Sequence, residues 1–256
     1  MTKIKVFNEL HSSNDLLFLG NAWDVLSSLT LEKVGFKAIG TTSWGIADSL
    51  GYADGELINF DKHLEIIKQI TESVNIPVSA DIESGYGEDV ETIVYNVLKT
   101  ADIGVAGINI EDSMKNLNKL RDIAEHCAIL SNIRTALDNN GFKDFYVNAR
   151  IDTYLQKKNP LLESIERANA YVESGASGIF LPGLSEDHEI KEIAMAVKVP
   201  LNILSLPGLT DCNKISELGV KRFSFGNALS DKIIAYLDNS AKQLFDFKNT
   251  SSLYED

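Results

Sequence analysis

The chain has 256 residues, and its 37 Asp and Glu outnumber its 24 Lys and Arg, which gives a formal net charge of -13 at pH 7. So acidic a protein is poorly suited to bind a phosphate backbone, which argues against nucleic acid as a partner. The contents of 44% hydrophobic and 24% charged residues are typical of a globular protein and exclude intrinsic disorder. Because the sequence lacks both a membrane-length apolar run and a secretory signal, we expect a cytoplasmic protein with no membrane partner.

The cysteines and histidines do not follow metal-binding or disulfide patterns. Cys127 and Cys212 stand far apart and outside any CxxC spacing, which disfavours a disulfide and a zinc cluster. None of the four histidines belongs to an HxxxH or HExxH pair; they are His11, His63, His126 and His188. Since zinc enzymes usually need such a pair, any catalytic chemistry should come from carboxylates, arginine, hydroxyl groups and backbone amides.

Short apolar runs rich in β-branched residues alternate with amphipathic segments along the chain. The expected strands are 16–19, 38–42, 77–82, 104–110, 145–151, 178–181, 200–204 and 222–225. Helical spacing of apolar residues predicts crossover helices at 57–73, 160–174 and 186–197. Eight strands in this rhythm predict an α/β fold, a (β/α)8 TIM barrel of ordinary length.

Glycines that end predicted helices recur along the chain, which supports one repeated architecture. Gly35, Gly175 and Gly219 each end a predicted helix where a left-handed cap is wanted. No Pro-, Ser- or Gly-rich linker divides the sequence, so we expect a single domain over residues 1–256. The tail 233–256 begins as an apolar helix that should pack on its own barrel or on a neighbouring subunit.

Two successive predicted strands end in three carboxylates. Asp81 and Glu83 share the side of their strand with Ser79, and Glu111 ends the next strand. The carboxyl ends of barrel strands form the face where active sites lie, and neighbouring acids there are costly unless a cation joins them. An all-oxygen set favours Mg²⁺, or Mn²⁺, over zinc. The alternative is that these acids are caps or solvated strand ends.

Further polar residues should face the same mouth. Arg150 supplies a forked donor for a substrate carboxylate, although it could also be a structural partner of Glu111 or Asp152. The segment 40–45 offers hydroxyl groups and amides for another anionic oxygen. Two further inward polar residues are Asn109, which shares its strand and face with Glu111, and Asn202 on a later strand. A metal, an arginine and an amide cradle together indicate a site for a small 2-oxo acid or its enolate.

Seven segments in register resemble the isocitrate lyase/phosphoenolpyruvate mutase superfamily. They are GTTSW (40–44), SLGYAD (49–54), PVSADIESGYG (77–87), GINIED (107–112), NARID (148–152), IFLPG (179–183) and FGNAL (225–229). The resemblance covers most of the chain, from Leu16 to about Ala235. It implies a metal-dependent barrel enzyme that makes or breaks a C–C or P–C bond beside a 2-oxo acid, through a pyruvate-enolate-like intermediate.

The resemblance also implies roles for particular residues. Asp81 resembles the direct metal ligand, with Glu83 and Glu111 contacting the ion directly or through water. Arg150 resembles the arginine at the substrate's pyruvoyl part, and the oxo-acid carboxylate cradle corresponds to Thr42, Ser43 and the Trp44 amide. Members of the superfamily form oligomers, typically tetramers, whose last helix packs on a neighbouring barrel, so a homo-tetramer or dimer is expected.

The segment after Glu111 departs from the best-known members. Isocitrate and methylisocitrate lyases carry a mobile loop with a Lys-Lys/Arg-Cys-Gly-His stretch, whereas here a short loop without cysteine runs straight into a predicted helix. Cys127 lies inside that helix, so it is a poor replacement for the missing acid. Lys115 and Asn116 only faintly match the Lys-x-Asn-Ser stretch of phosphonate enzymes. The basic residues Lys115, Lys119 and Arg121 are either a solvated edge or a short lid.

The sequence therefore predicts a Mg²⁺-dependent carbon–carbon lyase, or a hydrolase or decarboxylase, for a small 2-oxo or 2-hydroxy dicarboxylate. Arg150 and Glu111 are the expected catalytic residues, and the expected substrate contacts are Thr42, Ser43, Trp44, Asp81, Asn109, Arg150 and Asn202. One alternative is a mutase or hydrolase of phosphonate P–C bonds. Another is a non-catalytic barrel that binds oxo acids. Neither the substrate nor the general acid/base is identified by the sequence.

Overall fold

A closed barrel of eight parallel strands forms the centre of the structure, a computed structural model that describes residues 2–114, 117 and 119–254. The strands in chain order are β1 (Leu17–Ala22), β2 (Ile39–Thr41), β3 (Val78–Asp81), β4 (Gly107–Glu111), β5 (Ser113–Met114), β6 (Lys119–Leu120), β7 (Tyr146–Arg150), β8 (Gly178–Leu181), β9 (Leu201–Leu204) and β10 (Arg222–Ser224). Around the barrel the order is β1-β10-β9-β8-β7-β4-β3-β2, and β5 with β6 forms a separate hairpin. The predicted (β/α)8 barrel is confirmed, because each of the eight expected runs overlaps one barrel strand.

Helices cover the outside of the barrel and connect its strands. They are α1 (Lys3–Ser12), α2 (Val25–Val34), α3 (Ser43–Ser49), α4 (Phe60–Ser73), α5 (Val90–Asp102), α6 (Ile123–Asn139), α7 (Thr153–Gln156), α8 (Leu161–Glu173), α9 (Asp187–Ala196), α10 (Cys212–Glu217) and α11 (Ala228–Phe247). The three predicted crossover helices are α4, α8 and α9. Gly35, Gly175 and Gly219 all have left-handed φ angles, of 104°, 103° and 93°. The predicted glycine caps are therefore confirmed.

Two strand boundaries differ from the prediction for local reasons. The fourth barrel strand begins at Gly107 and not at residue 104, because Gly104 has a φ of 87° and ends the turn after α5. The first strand continues to Ala22 and not only to residue 19. This extension brings Asn21 to the mouth of the barrel, where it accepts hydrogen bonds from the amides of Phe225 and Gly226.

The segment after β4 corrects the expectation of a direct entry into a helix. Ser113 pairs with Leu120 and Met114 with Lys119 in an antiparallel hairpin. The Arg121 amide donates to the Asp112 carbonyl at 2.7 Å, which closes the hairpin before α6 can begin. Lys115 and Asn116, whose match to phosphonate enzymes was weak, lie outside the described residues.

The N-terminal end of the barrel is closed by α1. The ring of Phe7 lies 5.4 Å from that of Tyr146 at the start of β7, and His11 stacks on the same tyrosine at 4.1 Å. Aliphatic side chains such as Ile108 and Ile110 pack between the barrel and its helices. With this end closed and the wall packed, the carboxyl ends of the strands form the face available to a small molecule.

The last helix has an apolar surface that its own barrel leaves exposed. Within α11 only Ser230 is buried, and the exposed apolar side chains are Ile233, Ile234, Tyr236, Leu237, Phe245 and Phe247. The expectation that a neighbouring subunit covers this helix stays a prediction. Among the helices of the described residues, none has the length and apolar character that a membrane crossing requires.

A buried histidine on α6 predicts acid sensitivity of the fold. His126 is fully buried, its ring lies 4.7 Å from that of Tyr171, and neither ring nitrogen has a hydrogen-bond partner among the described residues. Burial, reinforced by the charges of Arg121 and Arg167, lowers its pKa to about 3. Because the unfolded chain keeps a histidine pKa near its ordinary value, it takes up the proton first as the pH falls, and the stability from neutral His126 is lost between about pH 6.5 and 3.

We therefore expect His126→Phe to flatten the pH dependence of stability. Between about pH 6.5 and 4.5 the wild-type free energy of unfolding should fall by about 2 kcal/mol more than that of the variant. Urea unfolding at a series of pH values measures this difference. The exposed His188, changed to Gln, is the matched control and should keep the wild-type slope. Parallel curves for wild type and His126→Phe would show that His126 does not cause the acid sensitivity.

Candidate active site

A cavity of about 310 Å³ lies at the carboxyl mouth of the barrel. Each barrel strand contributes one lining residue, and these are Asn21, Thr41, Asp81, Asn109, Arg150, Phe180, Leu204 and Ser224. The segments after the strands add Thr42, Ser43, Trp44, Asp54, Leu155, Pro182, Gly226 and Asn227. A larger cavity of about 940 Å³ lies beside residues 55–60 and 84–89, but it contains none of the predicted site residues. The mouth cavity is therefore the candidate active site.

The barrel order gives this cavity two different sides. Asp81 at the end of β3 lies across the barrel from Leu204 on β9, and Thr41 on β2 lies across from Phe180 on β8. One side is thus polar and the other apolar. A small acid could place its charged end against the polar side and its carbon chain against the apolar side.

Asp81 is nearly buried and is tied to the wall through only one of its carboxylate oxygens. Its Oδ2 accepts from the Ser43 hydroxyl at 3.1 Å and from the Ser43 amide at 3.4 Å. Its own amide donates to Thr41 Oγ1 at 2.8 Å, and its carbonyl accepts from His63 Nε2 at 2.9 Å. The other oxygen, Oδ1, has no hydrogen-bond partner among the described residues. A buried carboxylate oxygen without a partner, at the wall of a cavity, suits a cation ligand.

His63 lies behind Asp81 and is neutral. It is fully buried, it stacks on Tyr86 at 5.3 Å, and burial lowers its pKa below the ordinary value despite its contact with the Asp81 carbonyl. Because a carbonyl oxygen can only accept, the hydrogen of the neutral ring is on Nε2. His63 therefore fixes the backbone at the end of β3, a role that the sequence analysis missed because α4 gives no spacing signal for it.

Arg150 faces the cavity and is locked in place by two carboxylates. Its Nη1 lies 3.0 Å from Glu111 Oε2, and its Nε and Nη2 donate to Asp152 at 2.6 and 3.1 Å. Burial alone would lower the pKa of Arg150, but the charges of Asp152, Glu111 and Asp81 raise it well above its ordinary value. The guanidinium is therefore a permanent cation of fixed orientation. The structural partnership considered from the sequence is present, and it leaves Arg150 at the cavity wall.

Asp152 connects Arg150 to the hairpin. Its Oδ2 accepts from the Ser113 hydroxyl at 2.6 Å, and its amide donates to Asp112 Oδ1 at 3.0 Å. Gln156 donates to the same Ser113 hydroxyl at 3.0 Å. The base of the hairpin thus takes part in the hydrogen-bond network that orients Arg150.

The expected carboxylate cradle lies at the start of α3. Thr42 is the N-cap of this helix, and its Oγ1 accepts from the Gly45 amide at 3.4 Å. The Ser43 hydroxyl, which lies 3.1 Å from Asp81 Oδ2, is also 3.2 Å from Asp54 Oδ1, and its one hydrogen can be donated to either carboxylate. Trp44 lines the cavity with about half of its side chain exposed. Asp54 belongs to the segment SLGYAD, and no pattern in the sequence indicated that it would line this cavity.

Glu83 is not where strand alternation predicts. The strand ends at Asp81, and Glu83 has a left-handed φ of 50°, so the period of two does not extend to it. Its carboxylate accepts from the Tyr86 hydroxyl at 2.7 Å and from the Glu56 amide at 3.0 Å. Glu83 is buried beside the mouth and is not among the residues that line the cavity.

Glu56 explains the conformation of this corner. Its Oε1 accepts from the Ser84 amide, the Ser84 hydroxyl and the Tyr86 amide at 2.7 to 2.9 Å. Glu56 and Tyr86 also have left-handed φ angles, of 61° and 54°. The turn after β3 is therefore held by a carboxylate from the preceding loop.

The structure does not bring the three predicted metal ligands together as a set. Glu111 is bound to Arg150 and Glu83 to Glu56 and Tyr86, and within the described ranges no three His, Cys, Asp or Glu side chains are arranged to hold an ion. Mg²⁺ in proteins commonly keeps several waters and binds through one or two carboxylates. Asp81, whose Oδ1 has no hydrogen-bond partner among the described residues, fits such a site as one direct ligand.

Asn109 and Asn202 occupy different heights in the barrel. Asn109 lines the cavity, whereas Asn202 is buried and hydrogen-bonded to Asn148 at 3.2 Å. Leu204, two residues beyond Asn202 on the same side of β9, takes the place at the cavity. Substrate contact by Asn109 stays a prediction, and the structure does not place Asn202 at the cavity.

Comparison with known proteins identifies relatives along almost the whole chain. A family model described as phosphoenolpyruvate phosphomutase matches residues 7–245. An uncharacterised protein of Mycobacterium tuberculosis H37Rv is 37% identical over 222 residues, which are 86% of this chain and 81% of that protein. The 2-methylisocitrate lyase of Escherichia coli K12 is 31% identical over 181 residues, 68% of this chain and 60% of the lyase.

A solved structure agrees with the fold throughout. A Burkholderia cenocepacia J2315 protein, provisionally assigned as a phosphonomutase, superposes with a TM-score of 0.90 and 32% identity over 94% of this chain and 99% of its own. Similar proteins are named as lyases, decarboxylases, hydrolases or mutases of small carboxylic acids or phosphonates. The chain belongs to the phosphoenolpyruvate phosphomutase family, within the isocitrate lyase/phosphoenolpyruvate mutase superfamily.

Proposed function

We propose that the protein is a Mg²⁺-dependent carbon–carbon lyase or decarboxylase that acts on a small 2-oxo or 2-hydroxy dicarboxylate through a pyruvate-enolate-like intermediate. One observation carries the proposal: a single cavity joins Asp81, whose buried Oδ1 has no hydrogen-bond partner among the described residues, to Arg150, which two carboxylates hold in place. A lyase and a decarboxylase of small dicarboxylic acids among the relatives support it.

The residues that would hold Mg²⁺ are Asp81 directly, and Glu83 and Glu111 through water. When bound, Mg²⁺ (or Mn²⁺) supplies positive charge that stabilises the oxyanion of an oxo acid as it becomes an enolate. The negative charge around Asp81 would attract a divalent cation into this small cavity.

The chain's own residues would bind and orient the acid. The Arg150 fork would bind a carboxylate oxygen pair, and Glu111 would keep the fork aimed at the cavity. The Thr42 hydroxyl oxygen caps α3, so its hydrogen remains available as a donor. This hydrogen would bind the substrate carboxylate, which would lie beside Ser43 and the backbone amide of Trp44. Arg150 and Glu111 are thus the proposed catalytic pair, with Arg150 as the member that touches the substrate.

The dimensions of the cavity support a small substrate. A volume of about 310 Å³ is at the lower end of the range for ligand pockets. The apolar side formed by Phe180, Leu204, Pro182 and Leu155 would pack against the carbon chain and exclude water from the reacting bond. Excluding water protects an enolate from premature protonation.

One observation favours phosphonate chemistry as a second candidate: the similarity to the Burkholderia cenocepacia protein. A phosphonate carries more negative charge than a carboxylate and is usually met by several cations. Among the described lining residues of the cavity, Arg150 is the one cationic side chain. This balance of charge makes the dicarboxylate reaction the better supported of the two.

A substrate panel tests the proposal. Purified protein with Mg²⁺ would be incubated with oxaloacetate, 2-methylisocitrate, 2,3-dimethylmalate and phosphonopyruvate, and pyruvate would be measured with a coupled dehydrogenase. We expect metal-dependent pyruvate release from one of the two dicarboxylates, oxaloacetate or 2,3-dimethylmalate, abolished by a chelator. Phosphoenolpyruvate or phosphate from phosphonopyruvate would favour the second candidate. No turnover, together with an oxalate-induced rise in melting temperature, would indicate a binding protein.

A further inference from the structure

The interior of the barrel contains a buried cation that the proposed mechanism does not use. Arg222 on β10 is 1% exposed, and its Nε and Nη1 have no hydrogen-bond partner among the described residues. No described carboxylate lies within ion-pair distance of it, and its guanidinium sits 5.9 Å from the ring centre of Phe7. Burial lowers its pKa to about 10. Tyr146 and Asp81 favour the charged form but do not offset the effect of burial on this pKa. A buried charge without a directly bonded carboxylate is costly to the fold, so a functional reason for it is worth seeking.

The hydrogen bonds above Arg222 have a fixed direction. Asn202 Nδ2 donates to the carbonyls of Ile203 and Arg222 at 3.0 and 3.1 Å, and carbonyl oxygens can only accept. Asn202 Oδ1 must therefore face Asn148, whose Nδ2 donates to it at 3.2 Å. The same Nδ2 donates to Asn109 Oδ1 at 2.8 Å. The orientation of each side-chain amide thus follows from the backbone below it.

Arg222 contacts Asn109, the last side-chain amide in this series of hydrogen bonds. Its Nη2 points to Asn109 Oδ1 at 3.4 Å, and a guanidinium can only donate. Two donors from below, Asn148 and Arg222, therefore require the oxygen of Asn109 to face the barrel interior. The amide nitrogen of Asn109 is then the polar group that it offers to the cavity. A positive charge next to Oδ1 also polarises the amide and strengthens its N–H groups as donors.

We propose that Arg222 is a positioning residue, which holds Asn109 from beneath the cavity so that its N–H groups donate to an oxygen of the bound oxo acid. This inference rests on the proposed function, because it needs an oxo acid in the mouth cavity. The hydrogen bonds that Asn109 donates would become stronger as negative charge develops on that oxygen.

A purely structural role for Arg222 makes different predictions. If Arg222 only filled the barrel, its replacement would destabilise the fold and leave ligand affinity in the folded fraction unchanged. If it is a positioning residue, Arg222→Met removes an unpaired buried charge but keeps an unbranched side chain. Asn148 still donates to Asn109 Oδ1 in this variant, so no buried acceptor is left without a donor and the cost to the fold should be small. The expected signature is therefore unchanged or raised stability together with weaker ligand binding.

The experiment is a double-mutant cycle with oxalate as the probe, because oxalate is a planar analogue of the pyruvate enolate. Oxalate affinity in excess Mg²⁺ would be measured by calorimetry for wild type, Arg222→Met, Asn109→Ala and the double variant, and melting temperatures would be taken without metal. We expect Arg222→Met and Asn109→Ala each to bind oxalate about 10-fold more weakly, the worth of one charge-assisted hydrogen bond. The double variant should bind no more weakly than Asn109→Ala alone.

Each of the other possible results either supports the inference or overturns it. An Arg222→Met protein that binds oxalate like wild type, or whose loss adds in full to that of Asn109→Ala, would overturn it. Arg222→Lys keeps a charged donor, so its oxalate affinity should stay within about threefold of wild type. If Arg222→Lys loses as much oxalate affinity as Arg222→Met and also has a lower melting temperature, the role of Arg222 is structural and the inference is overturned. Absence of Mg²⁺-dependent oxalate binding in wild type would remove the proposed function and the inference together, whereas a binding wild type with an unaffected Arg222→Met removes the inference alone.

Discussion

Asp81→Asn is expected to weaken Mg²⁺-dependent oxalate binding by at least about 100-fold. Loss of an outer partner of a metal ligand already costs about 10- to 100-fold in affinity or activity, so loss of the direct ligand should cost more. The substitution changes little else. Ser43 can still donate to the amide oxygen, while the new NH2 group takes the position of Oδ1, the oxygen that has no hydrogen-bond partner among the described residues. A donor at that position repels a cation.

The measurement is calorimetric titration of oxalate in the presence of Mg²⁺, with the melting temperature recorded without metal. Asp102→Asn removes one negative charge from the exposed end of α5 and is the matched control. We expect the control to bind like wild type, which separates the local ligand from the net charge of the protein. If Asp81→Asn binds oxalate with wild-type affinity and keeps its metal dependence, the cation is held elsewhere.

Arg150→Lys is expected to lower kcat/KM for the dicarboxylate identified by the panel about 100- to 1,000-fold. The positive charge is kept, so the loss comes from geometry. Arg150 makes contacts through Nη1, Nε and Nη2 to Glu111 and Asp152, and a lysine ammonium on a flexible stem cannot reproduce this fork. A substrate carboxylate would lose its paired donor, and the misplacement of even one reacting group has costs of this size.

Metal binding distinguishes the loss of the Arg150 fork from a general disturbance of the site. Mn²⁺ binding without an organic acid should be unchanged in Arg150→Lys, because Arg150 is not a metal ligand. Lys191→Arg exchanges one cation for another on the exposed surface of α9 and should retain full activity. If Arg150→Lys keeps kcat/KM within about threefold of wild type, Arg150 does not bind the substrate through its fork.

The fold was predictable because its signals are local and repeated. Each barrel strand is a short apolar run, and the caps at Gly35, Gly175 and Gly219 recur before the next strand. The same periodicity predicted that Asp81, Asn109 and Arg150 face inward at strand ends, and the three residues line one cavity. The hairpin β5–β6 escaped prediction because its two-residue strands are too short to show a period.

The details of the site depend on features that spacing does not encode. Alternation fixes the side of a strand on which a residue lies but not its height, so Asn202 was expected at the cavity that Leu204 occupies. A left-handed residue ends the alternation, which displaced Glu83. Glu56 approaches from a loop distant in sequence, so no local pattern indicated its contact with Tyr86.

Arg222 did carry a signal that was available from the sequence. A charged residue inside a strand whose neighbours are buried should have a partner or a function. Strand 222–225 was predicted correctly, yet the arginine at its start was given no role. Its position beneath Asn109 became evident only from the register of β10 with β9, in which Arg222 lies beside Asn202.

We propose that one Mg²⁺-dependent site for a 2-oxo acid lies at the barrel mouth, between Asp81 and Arg150. The decisive measurement is a crystal structure of the protein grown with Mg²⁺ and oxalate. We expect an ion bound by Asp81 Oδ1 and an oxalate that contacts both this ion and Arg150 in the mouth cavity. An ion bound away from Asp81, or an oxalate bound outside the mouth cavity, would contradict it.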